Sequence, residues 1–121
     1  GYEPNSLVIN KPHEIYKNKD LLKITNEPIN AVQGSNVLYT DVWSSMGEEK
    51  QKEEKEKDFL GFTINSNLVR NADKDAIILH CLPAYRDKEI TDDVIESKNS
   101  RIFEQAENRM HVQQALLSCL L

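Results

Sequence analysis

The sequence has no apolar run near the ~20 residues that a membrane-spanning helix needs, so a bilayer is not an expected partner. It has only two cysteines, Cys81 and Cys119, which cannot make a disulfide framework and fit a reducing compartment. The chain is therefore expected in the cytoplasm, or in the mitochondrial matrix if the source is eukaryotic. His80 beside Cys81, and His111 near Cys119, lack the paired short spacings of a structural zinc site, so no metal is expected. There is no excess of positive charge. Fifteen Lys and Arg against twenty Asp and Glu give a net charge of −5, which argues against nucleic acid as the main partner. A local cationic pocket for a small anion remains compatible with that total. Internal repeats and linker-like stretches are also missing, and 121 residues suffice for one domain with a core of its own. The start at Gly1-Tyr2-Glu3-Pro4 has neither an initiator methionine nor a signal-peptide pattern, and reads as a processed chain or a piece of a longer protein.

What is present alternates between strand and helix signals. Asn5 or Ser6 can cap a helix running toward Lys19, with a break or kink expected at Pro12. Leu21 to Thr25 reads as a short strand. Pro28 to Gln33 reads as a short helix, with proline in its first turn and Gly34 just past its end. Asn36 to Val42 reads as a second strand. The block from Glu48 to Asp58 is almost wholly charged. Its Glu48/Lys52 and Glu53/Lys57 pairs have favourable helical spacing, Glu49/Glu53 repels, and the block reads as a solvated helix face. Asn65 can cap a helix from Ser66 to Ala72, Asp75 to His80 reads as a third strand, and Thr91 can cap a short helix through Ile95. Ser100 to Phe103 reads as a fourth strand and Glu107 to Leu120 as a final helix, with Met110, Gln114 and Leu117 at i, i+4 and i+7 and the apolar tail from Ala115 to Leu121 as its buried face. Strands alternating with helices predict an α/β fold, a Rossmann-like parallel sheet with helices on both faces.

Three segments at strand ends carry the chemistry: Thr40-Asp41-Val42-Trp43-Ser44-Ser45-Met46-Gly47, His80-Cys81-Leu82-Pro83 and Ala106-Glu107-Asn108-Arg109-Met110-His111. Ligands of open α/β sheets bind beyond the carboxyl ends of the strands, so the three are expected to meet. Asp41 with Ser45 and the backbone at Met46-Gly47 offers an acid and donors for a zwitterionic amino-acid head; both side chains would serve equally as helix caps. A cis bond before Pro83 would turn the chain sharply and leave the Cys81 sulfur and the Leu82 carbonyl to hold an amine. Cys81 as an inert buried thiol is the alternative. His80 reads as a satisfied core histidine. Arg109 sits in the first turn of the predicted last helix, where a cation is most natural if an anion such as phosphate binds with it; a surface pairing with Glu104 or Glu107 is the other reading.

These three motifs, in this order and at these separations, resemble the C-terminal half of ornithine carbamoyltransferases, within the aspartate/ornithine carbamoyltransferase family. The resemblance covers essentially the whole chain, Gly1-Tyr2-Glu3-Pro4 included. The Ser45-Met46-Gly47 loop resembles the ornithine type rather than the aspartate or putrescine types. The resemblance implies transfer of a carbamoyl group from carbamoyl phosphate to the side-chain amine of L-ornithine, without a cofactor. It assigns Asp41, Ser45 and Met46 to the ornithine head group, Cys81 and Leu82 to the reacting amine and carbamoyl carbonyl, and Arg109 to carbamoyl phosphate. It also implies a cis Leu82–Pro83 bond.

The family's Ser-x-Arg-Thr phosphate motif does not occur here, nor do the two strands that precede Gly-Tyr-Glu-Pro in its second domain. Residues 1–121 are thus expected to be a partial ornithine-binding domain, incomplete relative to the family domain. The strand near Leu22 would be parted from that near Val37 by a gap, and the isolated chain would be inactive without the N-terminal domain through which the family forms trimers. Two other functions fit the same residues: a non-catalytic ornithine-binding or subunit-association fragment, and a carbamoyltransferase for another amine such as putrescine.

Overall fold

The computed structural model describes residues 2–16, 21–44, 47 and 52–121. Its elements in chain order are α1 (Ser6–Tyr16), α2 (Pro28–Val32), β1 (Val37–Thr40), α3 (Lys52–Asp58), α4 (Ser66–Val69), β2 (Ile77–His80), α5 (Asp92–Ile95) and α6 (Ile102–Leu120). The fold is α/β and Rossmann-like, and the sheet is short. β1 and β2 pair in parallel with Val37 opposite Ile77 and Thr40 opposite His80. On the other side of β2 a single parallel bridge joins Ile78 to Ser100. There Ile78 N–H donates to the Asn99 carbonyl at 3.0 Å and Arg101 N–H to the Ile78 carbonyl at 2.9 Å.

β2 is therefore the central strand, flanked on both edges, and its near-continuous apolar sequence fits that place. Ile78, Ile90 and Ile102 are completely buried, with Leu38, Ile64, Leu68, Val94 and Ile95 around them. β1 has a partner on one edge only among the described residues. On its two faces Leu38 points into the core, while Val37 and Tyr39, on the other face, are exposed.

Short polar devices set the register. Asn65 Oδ1 accepts Leu68 N–H at 2.9 Å and starts α4. Gly34, at φ +65, closes α2 in a conformation that favours glycine. Gly34 N–H then reaches the Asn71 carbonyl, Asp73 N–H the Ser35 carbonyl and Ile77 N–H the Asn36 carbonyl, tying the entry of β1 to the entry of β2. Ile64 and Ile90 form a further parallel bridge that brings the segment before α5 under the core.

Several expectations need correction. Residues 22–25 form no strand. A strand is stable only when its backbone groups are paired, and no neighbour for this segment exists among the described residues. Only Ser100 of the fourth predicted strand pairs; Ile102 and Phe103 already belong to α6, which starts five residues before Glu107. α6 buries only Ile102, so the apolar tail with Leu116, Leu117 and Leu120 is exposed rather than a buried face. Periodicity identifies an apolar face and says nothing of what covers it. α1 passes through Pro12 as one helix without a break. α4 ends at Val69, and the chain continues to Ala72 in tighter turns. Thr91 stands at the start of α5, but its hydroxyl makes no capping bond to that helix. The Glu48/Lys52 and Glu49/Glu53 pairs lie outside the described residues.

Ile78→Ala removes most of a wholly buried side chain from the central strand and is expected to cost about 2–5 kcal/mol. Asn65→Ala removes one cap bond and is expected to cost about 1 kcal/mol. Denaturant unfolding of the two variants, in whatever form of the protein folds cooperatively, should show this order; a larger loss for Asn65→Ala would contradict the placement of the core.

Candidate functional site

The register of the sheet builds the site. Thr40 is opposite His80, so the next residues, Asp41 and Cys81, leave the strand ends side by side. The Cys81 thiol faces the Asp41 carboxylate, the two polar groups within 4.8 Å of one another. Val42 N–H donates to Asp41 Oδ1 at 2.7 Å. These two donors, the thiol above all, hold the Asp41 carboxyl below the usual carboxylate range. The Cys81 thiol moves the other way: burial first, then the adjacent carboxylate, push it up. At neutral pH the pair is an anion beside a protonated thiol, a poor nucleophile.

After Cys81 the chain turns sharply. The Leu82–Pro83 bond is cis, as expected, and Leu82 itself has φ +53. Positive φ is unusual for a leucine and here puts an irregular backbone directly beside the cleft. His80 secures this turn from below. Its side chain is buried, its Nδ1 accepts Leu82 N–H at 2.8 Å, and its Nε2 meets Glu89 Oε1 at 3.0 Å. Glu89 Oε1 also accepts Tyr85 N–H at 2.7 Å. His80 is thus the satisfied core histidine that the sequence predicted.

α6 brings in the third segment. Ile102, Gln105 and Arg109 fall at i, i+3 and i+7, on one face. Ile102 is buried against the sheet. Gln105 Oε1 accepts His80 N–H, and its Nε2 donates to Tyr39 Oη, both at 3.1 Å. Gln105 therefore clamps the carboxyl ends of both strands, and Arg109 lies a turn beyond it. The expectation that Arg109 sits in the first turn is wrong: the helix begins seven residues earlier, at Ile102, so the attraction of a helix start for an anion does not apply to it. Nor is Glu107 its partner, since Glu107 Oε1 meets His111 Nε2 at 3.2 Å.

Asp41, Cys81, Leu82 and Arg109 line one open cleft of about 300 Å³, with Val42, Ser44, Pro83 and Tyr85. Four of the six residues predicted from the sequence are thereby brought together. The other two, Ser45 and Met46, lie outside the described residues. Ser44, Tyr85, Glu89, Gln105 and Tyr39 were not singled out. Glu89 and Gln105 act across 9 and 25 positions of sequence from His80, where no local pattern shows a pairing.

Asp41, His80 and Cys81 also bring one potential metal donor each within 4.8 Å of one another. Both His80 nitrogens already take part in hydrogen bonds, so a cation bound there would have to displace Leu82 N–H or Glu89. The donor set suits the turn it holds better than a metal.

The Asp41–Cys81 contact has a measurable consequence. Asp41→Asn removes the charge that helps keep the proton on sulfur, so the thiol pKa falls and more thiolate is present at a given pH. In a Cys119→Ser background, alkylation of Cys81 near pH 8 should therefore be faster in Asp41→Asn than with Asp41 present. An unchanged pH midpoint of alkylation would separate the two groups.

Residues 1–120 match the family model described as the aspartate/ornithine carbamoyltransferase Asp/Orn binding domain. The chain is 78% identical over 121 residues to an ornithine carbamoyltransferase of Prochlorococcus marinus subsp. pastoris, covering all of this chain and 39% of that protein. A relative in Methanocaldococcus jannaschii bearing the same name is 52% identical over 118 residues, which are 96% of this chain and 39% of its own length. In solved structures, the ornithine carbamoyltransferase from Pyrococcus furiosus matches with a TM-score of 0.85 at 44% identity, over 98% of this chain and 38% of that one. The chain thus spans about two-fifths of the length of these relatives. On the family match along nearly its whole length, and on the shared fold, the chain belongs to the aspartate/ornithine carbamoyltransferase family.

Proposed function

We propose that this chain supplies the amino-acid half of an ornithine carbamoyltransferase, which moves the carbamoyl group of carbamoyl phosphate to the side-chain amine of L-ornithine and releases citrulline and phosphate. The observation that carries this reading is the meeting of Asp41, Cys81, Leu82 and Arg109 on one cleft at the carboxyl ends of the strands. Asp41, kept anionic by its donors, suits the ammonium of an amino-acid head; Ser45 and Met46 complete that subsite in the proposal. Cys81 and Leu82 flank the amine as it attacks. Their placement on a fixed turn serves orientation, which supplies much of the acceleration when two substrates must be held in line. Charge then develops on the carbamoyl oxygen and passes to the leaving phosphate, where Arg109 offers a permanent cation with several donors. No group here calls for a cofactor.

Residues 1–121 are in this proposal a partial ornithine-binding domain. The phosphate-binding groups, and the neighbour of the exposed edge of β1, belong to the part of the relatives that this chain does not match. The apolar side chains of α6 that nothing described covers fit the same view. The full-length protein is proposed to be a cytoplasmic homotrimer. No helix of the described residues is long and apolar enough to cross a membrane.

Citrulline formation with saturating substrates is the test. The chain alone should show none, whereas a full-length protein containing it should turn over with ornithine in preference to putrescine. Equal use of putrescine, or family-like turnover by the chain alone, would defeat the corresponding half of the proposal. In the full-length protein Arg109→Ala should raise KM for carbamoyl phosphate about tenfold or more, the value of a hydrogen bond to a charged group.

A further inference from the structure

We propose that His80 and Glu89 form a positioning pair that fixes the Cys81–Leu82 turn for the amine acceptor, an inference that rests on the carbamoyl-transfer reading above. Neither residue lines the cleft, and neither touches a reacting atom; they act through the backbone. A backbone N–H can only donate, so His80 Nδ1, which faces Leu82 N–H at 2.8 Å, must be the unprotonated nitrogen. A carboxylate can only accept, so Nε2 carries the hydrogen and gives it to Glu89 Oε1. The tautomer is thus dictated from both sides of the ring. The same Glu89 oxygen takes Tyr85 N–H, so one atom holds the chain after Pro83 while the imidazole holds the chain before it.

Between the two lies Leu82, at φ +53, a conformation that a leucine keeps only when its surroundings enforce it. The pair is almost wholly excluded from solvent, with side-chain exposures of 0% and 1%. An acid and an imidazole are expensive groups to bury beside a small apolar core, and well-packed hydrophobic residues would serve stability as well. What hydrophobic residues cannot do is accept Leu82 N–H and Tyr85 N–H at set points. The third hold on His80, its own N–H on Gln105, links the turn to the helix that carries Arg109. That link runs through the His80 backbone and not through its ring, so a change at Glu89 leaves the Arg109 side in place.

The test uses the full-length enzyme with Glu89→Leu and Glu89→Gln, each followed by kinetics in both substrates and by thermal unfolding. Gln retains a carbonyl oxygen able to accept both hydrogens; Leu retains the volume alone. Glu89→Leu should lower kcat/KM for ornithine about 10²-fold, the scale of an ångström-sized misplacement. Its KM for carbamoyl phosphate should stay within about threefold of wild type. Glu89→Gln should recover most of the loss. The 15N spectrum of His80 in the wild type should show protonated Nε2 and unprotonated Nδ1. The opposite tautomer overturns the proposal, and decides the matter alone if Glu89→Leu does not fold. So does a folded Glu89→Leu enzyme with unchanged ornithine kinetics, a loss shared equally by both substrates, or a Gln variant as impaired as Leu. A wild-type enzyme that makes no citrulline would instead retire the reaction itself.

Discussion

In the parallel ladder of β1 and β2, Thr40 stands opposite His80, and this pairing decides where everything reactive goes. The two residues that follow leave adjacent strand ends together, so an acid and a thiol distant in sequence become close neighbours. A slip of one residue would turn the strands' side chains to the opposite faces and separate them. The slip is prevented upstream, where the backbone of Gly34, Ser35 and Asn36 is tied to Asn71, Asp73 and Ile77. It is prevented downstream by Gln105, which touches both strands at once.

The sheet that does this is small, and its support is uneven. β2 is flanked on both sides and its Ile78 is wholly buried, whereas β1 leaves Val37 and Tyr39 exposed. The aromatic cluster of Tyr2, Trp43, Phe59 and Phe62 steadies the chain on either side of α3. α3 itself, though charged throughout, is more than a solvated face. Glu56 pairs with Lys88, and the Lys52 ammonium lies 4.9 Å from the centre of the Tyr85 ring, beside the cleft. Such exposed and half-exposed contacts are individually weak. Their role is to set the approach of one segment to another.

Much of this architecture is legible in the residues themselves. Continuous apolar runs locate β1 and β2, Asn65 announces α4, and Pro28 with Gly34 brackets α2. The meeting of Asp41, Cys81 and Arg109 follows from motifs at strand ends, and the cis turn at Pro83 from the family resemblance. The failures share a cause. Leu21 to Thr25 has the composition of a strand but no partner to pair with, and the apolar stripe of α6 has no described surface to meet. Composition specifies a tendency; pairing and coverage need a second element.

The sequence by itself determined the kinds of chemistry available: a carboxylate, a thiol and a guanidinium, each in a motif read along a single stretch of chain. Only the tertiary structure decided how these groups behave. It pushed the Cys81 thiol up, by burial first and the adjacent carboxylate second, and the Asp41 carboxyl down by placing that thiol beside it. It moved Arg109 from a helix start to a position two turns within α6. It also assigned Glu89 to His80 and Gln105 to both strand ends. Local patterns reflect interactions that close within a few residues, whereas these depend on segments that only the folded core brings together.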